Sequence, residues 1–221
     1  IKCFVCSWLW VLLVRDSHHS LDSTVDVKLD PNTAHKRLAL SEDGKEVGDS
    51  GEDQEISDSP GRFDLFGSVL GLNGFSSGRS YWEVEVGNKT GWDLGVATGG
   101  ASRKGKLTLS PENGYWVLVH YEEEKYAAMA SVPLSLFLKE KPTRVGLFVD
   151  YKEGLVSFYD VRAHTCFLYV QWFLAILWFT SSGLAVLCIF QSALGSVSLL
   201  VVDNCEIISS VLTPVETAKF T

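Results

Sequence analysis

Between residues 81 and 97 the chain alternates with period two on both sides of a glycine-bracketed loop. Trp82, Val84 and Val86 share one face of the first segment, and Glu83 and Glu85 share the other. In the second segment Trp92, Leu94 and Val96 share one face, opposite Asp93, Gly95 and Ala97. This is the pattern of half-buried antiparallel strands. Gly87 and Gly91 can take positive φ where the chain reverses. Two tryptophans entering one core from adjacent strands bury more area than any other pair nearby.

The same period recurs along the chain. Val25, Val27 and Leu29 alternate with Asp26 and Lys28 as a first short strand, turned by Asp30-Pro31-Asn32, and Leu38 and Leu40 mark a second. From residue 115 to 121, Trp116, Leu118 and His120 share one face, and Tyr115, Val117, Val119 and Tyr121 the other. Glu122, Glu123 and Glu124 read as a turn into a strand over 125–129. Residues 133–140 read as a loop or short helix. Residues 145–150 and 155–161 form a last hairpin around Lys152-Glu153-Gly154. Many short strands with almost no helical period predict an all-β antiparallel sandwich. Trp82, Trp92 and Trp116 are expected to fill its core.

The formal net charge of -8 argues against a nucleic-acid partner. Five cysteines without a regular framework point to a reducing compartment. Gly100 to Gly105 followed by Lys106 begins like a phosphate-binding loop. Leu107 stands where Ser or Thr should bind the metal, and Leu107-Thr108-Leu109 reads as strand rather than helix. Cys3-x-x-Cys6 is half a zinc pattern with no second pair, so no metal or other cofactor is expected. His18 and His19 lie in a polar linker. Asn88-Lys89-Thr90 is a formal glycosylation sequon, expected to stay unmodified in a tight loop. His120 has no evident nucleophile partner, so no catalytic residues are expected.

Several motifs in order carry a family resemblance. Trp82-Glu83-Val84-Glu85-Val86-Gly87 and Trp92-Asp93-Leu94-Gly95-Val96 resemble the centre of a PRY–SPRY domain. Leu29-Asp30-Pro31 resembles the opening of its PRY part. Phe148-Val149-Asp150-Tyr151 stands where the family has Leu-Asp-Tyr-Glu. Residues 110–116, ending in Tyr115-Trp116, and 156–160 match as well. The resemblance covers residues 25–161. It implies a bent β-sandwich of the concanavalin-like jelly-roll type, with a PRY segment over 25–75 and a SPRY core over 76–166. Leu29, Asp30, Pro31, Trp82, Glu83, Val84, Trp92, Leu94, Trp116, Asp150 and Tyr151 are its framework residues. It also implies a protein-recognition module of a tripartite-motif ubiquitin ligase, cytoplasmic and acting in innate immunity. Ubiquitin transfer would then lie in a RING upstream, and oligomerisation in upstream regions. The alternative is the cytosol-facing domain of a membrane-anchored, butyrophilin-like receptor.

The ends depart from this pattern. The chain begins at Ile1 rather than Met and reads as a fragment or an incomplete gene model. Residues 1–14 are apolar, with a length that suits a signal-peptide core; a truncated span or translated non-coding sequence fits equally. Residues 15–24 read as linker, so 1–24 is placed outside the domain. From Ala163 to Val202 there is no charged residue. Three readings compete for the run 167–190: a transmembrane helix, sequence foreign to the domain, or buried strands replacing the family's closing ones. The abrupt loss of pattern favours the second, leaving 167–202 an atypical apolar tail and 203–221 a polar end. Residues 206–215 faintly resemble the family's closing strand.

The candidate partner-binding face comes from polar connections between patterned strands. With Trp116 and Leu118 inward, Val119 and Tyr121 face outward beside Glu122, Glu123 and Glu124. Arg103 and Lys104 lie in a basic loop. Residues 49–60 carry Asp49, Glu52, Asp53, Glu55 and Asp58 with no base. In butyrophilins the stretch equivalent to Arg103-Lys104-Gly105 lines a basic pocket for phosphorylated small molecules. Here Asp93 is expected to place negative charge nearby, against anion binding. Antibody-binding tripartite-motif proteins carry tryptophans where Val119 and Tyr121 stand, so that ligand is not implied.

Overall fold

The computed structural model describes residues 26–89, 91–122, 125–163, 165–171, 184–189 and 196–200. Alternating segments form strands β1 (Leu38–Leu40), β2 (Glu46–Asp49), β3 (Ser68–Phe75), β4 (Arg79–Glu85), β5 (Gly91–Thr98) and β6 (Tyr115–Tyr121). There follow β7 (Lys125–Ala128), β8 (Leu134–Leu136), β9 (Arg144–Asp150), β10 (Leu155–Asp160), β11 (Thr165–Gln171), β12 (Leu184–Ile189) and β13 (Ser196–Leu200). A single 3-10 turn, Pro111–Asn113, precedes β6. One sheet has the order β1-β2-β13-β4-β9-β10-β11, the other β3-β12-β5-β6-β7-β8. Every ladder between them is antiparallel.

The inward faces meet in one core. Trp82 and Val84 of β4, Leu147 of β9 and Phe158 of β10 pack with Trp92, Leu94 and Val96 of β5 and Trp116 and Leu118 of β6. The three tryptophans are each 1% exposed, as their alternation predicts. Phe75 stacks on Trp82 at 5.5 Å between centroids. His120 is fully buried and stacks on Tyr126 at 4.5 Å, so its place is in the aromatic core.

The framework residues explain their own types. Asp30 ends the first extended segment: its carboxylate accepts from the Asn32 N–H, and its carbonyl accepts from the Thr33 N–H and hydroxyl. That turn leaves Leu29 a single bridge to Gly71 rather than the strand expected there. Leu29 is buried, and the Pro31 carbonyl accepts from Arg62 at 2.9 Å. Asp150 pairs with Arg79 at 2.7 Å and accepts the Glu153 N–H, tying the β4–β9 ladder to the following turn. The Tyr151 N–H donates to the Gly78 carbonyl.

Three expectations are corrected. Glu83, placed by alternation on a solvated face, is 1% exposed. It accepts the Tyr81 hydroxyl at 2.9 Å and lies 3.4 Å from Arg144. A buried carboxylate persists only with such partners. Gly146 makes room for them, since a Cβ there would come 2.5 Å from the Tyr81 oxygen. Residues 134–136, expected in a loop or short helix, form β8.

The third correction concerns the apolar run. At its ends, residues 165–171 and 184–189 are strands, and no helix among the described residues is long and apolar enough to cross a membrane. β11 pairs with β10. β12 lies between β3 and β5, and β13 between β2 and β4. These residues are therefore strands paired within the two sheets. Residues 1–25, the remainder of the run and residues 206–215 lie outside the described ones.

Two outcomes are expected. Trp82→Ala should cost about 3–5 kcal/mol, the range for deleting a large buried aromatic, measured by urea unfolding of the full chain. Ending the chain after Gln171 should abolish the cooperative transition, because each sheet then loses an interior strand. Unchanged unfolding of the shortened chain would show β12 and β13 to be dispensable.

Candidate functional site

The outward face of the six-stranded sheet is not open. Tyr115, Val117 and Val119 of β6, with Ala97 of β5 and Leu70 of β3, are covered by Phe63, Leu107 and Leu109 from two long connections. Phe66, Ala101, Tyr121 and Met129 pack at the margin of this second cluster. Val119 does face away from the main core, as alternation predicts, but lies under this layer at 6% exposure. That removes it from any surface a partner touches. Tyr121 stays half-buried at the layer's edge.

The layer is fastened at many points. Buried Arg62 donates to the Pro31 and Ala34 carbonyls at 2.9 and 2.6 Å and to the Ser57 carbonyl at 3.2 Å. Arg103 donates to the Gly61 and Gly99 carbonyls at 3.2 and 3.0 Å. Lys104 binds the Asp58 carboxylate and the Ser59 carbonyl, both at 2.9 Å. The Gly105 N–H donates to Asp64 at 2.7 Å. The Tyr115 hydroxyl donates to the Ser102 carbonyl, and burial pushes its pKa up to about 12. Arg103 and Lys104 thus join the two connections to each other.

The acidic segment is partly neutralised. Asp49 pairs with Arg37 at 2.9 Å and Asp53 with Lys36 at 2.6 Å, while Asp58 takes Lys104. The Gly51 N–H foremost, then Arg37, holds Asp49 below the ordinary carboxylate range; Lys36 does so for Asp53 and Lys104 for Asp58. Glu52 and Glu55 are exposed.

The structure therefore brings Arg103, Lys104 and the acidic segment together. It sets Tyr121 and Glu122 at the far end of β6 from Tyr115, about 20 Å along the strand. Glu122 has φ of 55° and pairs with Lys125; Glu123 and Glu124 lie outside the described residues. Sequence reasoning missed two exposed leucines. Leu65, in the covering segment, and Leu72, in β3, are each 60% exposed. Leu72 follows Leu70 on the outward face by alternation, so period two could have found it. Leu65 carries no periodic signal.

Asp93, expected to put negative charge beside the basic loop, lies instead beneath the covering layer at 2% exposure. It stands opposite Val119 of β6 and Ile189 of β12. Its Oδ1 meets no hydrogen-bond partner among the described residues. Burial pushes its pKa up to about 8, so it is mostly neutral at pH 7.

Two antiparallel sheets presenting a fastened, charged layer with exposed leucines define a recognition scaffold. No group of three or more metal-ligating side chains occurs among the described residues. Family models supply the rest: the SPRY domain matches residues 79–171 and the SPRY-associated PRY domain residues 27–75. The chain belongs to the PRY–SPRY family. It is 50% identical to human pyrin over 141 residues, covering 64% of this chain and 18% of that protein. It is 49% identical to human erythroid membrane-associated protein over 137 residues, covering 62% and 29%. It is 41% identical to mouse E3 ubiquitin-protein ligase TRIM21 over 145 residues, covering 66% and 31%. The chain thus spans less than a third of the length of these relatives. In fold it is similar to the TRIM65 PSpry domain, with a TM-score of 0.66 at 17% identity, covering 90% of this chain and 97% of that one. The SPRY match reaches past Val161 into β11, where the motif resemblance stopped.

Asp93 makes stability depend on pH. Its folded pKa of about 8 lies above the ordinary 3.8, so the folded state binds the extra proton between those values. Its stability is greatest below the ordinary value and is lost as pH rises through about 8, by at most about 1.4 kcal/mol per pH unit. Asp93→Asn should flatten this slope and stabilise the chain at pH 8. Urea unfolding at a series of pH values checks it; an unchanged slope would place the titration elsewhere.

Proposed function

We propose that this chain is the target-recognition domain of a tripartite-motif-type ubiquitin ligase, acting in the cytoplasm in innate immunity and binding a protein partner through the covering layer. The observation that carries this reading is the exposure of Leu65 and Leu72 in and beside a layer fastened by Arg62, Arg103 and Lys104. Apolar groups on a preorganised surface bind without the cost of ordering loops. Arg103 and Lys104, with exposed Glu52 and Glu55, orient the partner and raise the encounter rate. Tyr121 adds apolar area and a hydroxyl at the margin. Glu122 stands beside Tyr121 at the far end of β6, and Glu123 and Glu124 follow it in sequence. Ubiquitin transfer in such a protein belongs to a RING outside this domain. A membrane-anchored, butyrophilin-like receptor is the second reading, supported by the likeness to erythroid membrane-associated protein.

Proximity labelling in cells identifies the partner, and calorimetry on the purified pair measures it. Tyr121→Ala and Leu65→Ala are each expected to weaken binding by about 1–2 kcal/mol with unfolding little changed. Neutralising Glu122, Glu123 and Glu124 should act mainly on the association rate and its salt dependence. Binding untouched by all of these changes would place the docking surface elsewhere.

A further inference from the structure

The edge of the six-stranded sheet carries a second surface. β8 is its last strand, and three apolar groups in or beside it are uncovered, Val132 at 81% exposure, Leu134 at 59% and Phe137 at 95%, while Leu136 and Leu138 pack against the core. Backbone direction on this edge follows from one bond. The Met129 N–H donates to the Val117 carbonyl at 2.9 Å, so Met129 turns its polar groups toward β6. In an antiparallel ladder this orientation alternates. Lys125 and Ala127 therefore also face β6, and Tyr126 and Ala128 face β8, opposite Leu136 and Leu134. Leu134 and Leu136 are thus used by β7, while Pro133, Ser135 and Phe137 direct their backbone groups outward. Pro133 has no N–H to leave unpaired, which is the place a sheet edge tolerates proline.

We propose that β8 pairs with β8 of a second copy of this chain, antiparallel and centred on Ser135. The edge is complementary to itself in that register. Ser135 and its twin exchange their N–H and carbonyl groups. The Phe137 N–H meets the Pro133 carbonyl on each side, while the Phe137 carbonyl, which finds no proline N–H, stays open to water. Exposed Leu134 lies opposite Leu136, Val132 opposite Leu138, and Phe137 opposite Pro133. Carried three residues beyond the strand at each end, where the chain bends, the register sets Lys139 near Ser131, whose hydroxyl donates to Glu112 at 2.6 Å. Exposed Lys139 and Glu112 thereby meet with opposite charge twice across the two-fold axis. Such an axis closes the assembly at two copies, and a ladder this short gives a weak dimer. This surface is separate from the covering layer, so it leaves that layer free for a different partner.

Sedimentation velocity of the full chain over a concentration series tests the pairing. A monomer–dimer equilibrium is expected, with amide exchange at Ser135 and Phe137 slowing as concentration rises. Ser135→Pro, at an outward position, should abolish the dimer. Lys139→Glu should weaken it by about tenfold, and Glu112→Lys added to Lys139→Glu should restore it. The charge pair decides the matter should Ser135→Pro fail to fold. The proposal is overturned by a chain that stays monomeric throughout. It is equally overturned by a dimer indifferent to both sets of changes, or by protection of β8 that appears only with a different protein bound.

Discussion

Both sheets depend on strands that arrive last in the chain. β1 and β2 reach the rest of their sheet through β13, and β3 reaches β5 through β12. The PRY and SPRY segments are therefore not two neighbouring blocks. Their strand ladders run through a third stretch of sequence inserted between them. Without it, β2, β3, β4 and β5 would each have an unpaired edge, and the apolar faces that now meet in the tryptophan core would hold only partial sheets. The ladders that close both sheets thus lie away from the long connections, which leaves those connections free to vary.

The covering layer shows how such a scaffold holds long connections still. Arg62 is the deepest of its fasteners. A guanidinium offers several donors in a rigid plane, and here they take carbonyls from the first turn of the PRY segment and from the layer itself. Arg103 and Lys104, which sequence alone marks as surface charge, have carbonyl and carboxylate partners within the layer. Their first role is structural.

The sandwich, its tryptophan core and the Leu29-Asp30-Pro31 turn were legible in the sequence because one face of each early strand is polar or small. The closing strands were not. β5 is buried at every position. The run beyond Phe167 is apolar without alternation, so it offers no period to read and resembles a membrane span. Glu83 and Asp93 misled for the opposite reason. Period two assigns a side chain to a face but does not say whether that face is wet. One carboxylate has Tyr81 and Arg144 for company, and the other stays mostly neutral. Val119 failed on the same point. The grouping of Arg103 and Lys104 with the acidic segment was legible from loop positions, whereas Leu65 became visible only once the layer's packing was known.

The late arrival of β12 and β13 bears on how the protein is made. Synthesis is vectorial, and domains generally fold as units while the chain emerges. Here the ribosome must translate past Ile189 before the six-stranded sheet can close and past Leu200 before the seven-stranded one can, leaving the tryptophan-bearing hairpins exposed for most of that time. Pairings between such distant segments are also intrinsically slow. A stalled or prematurely terminated message would therefore yield no smaller working domain, only a nascent chain with open strand edges and a need for chaperones. In a cell, the last thirty or so codons of the described sandwich act as a checkpoint on the integrity of everything before them.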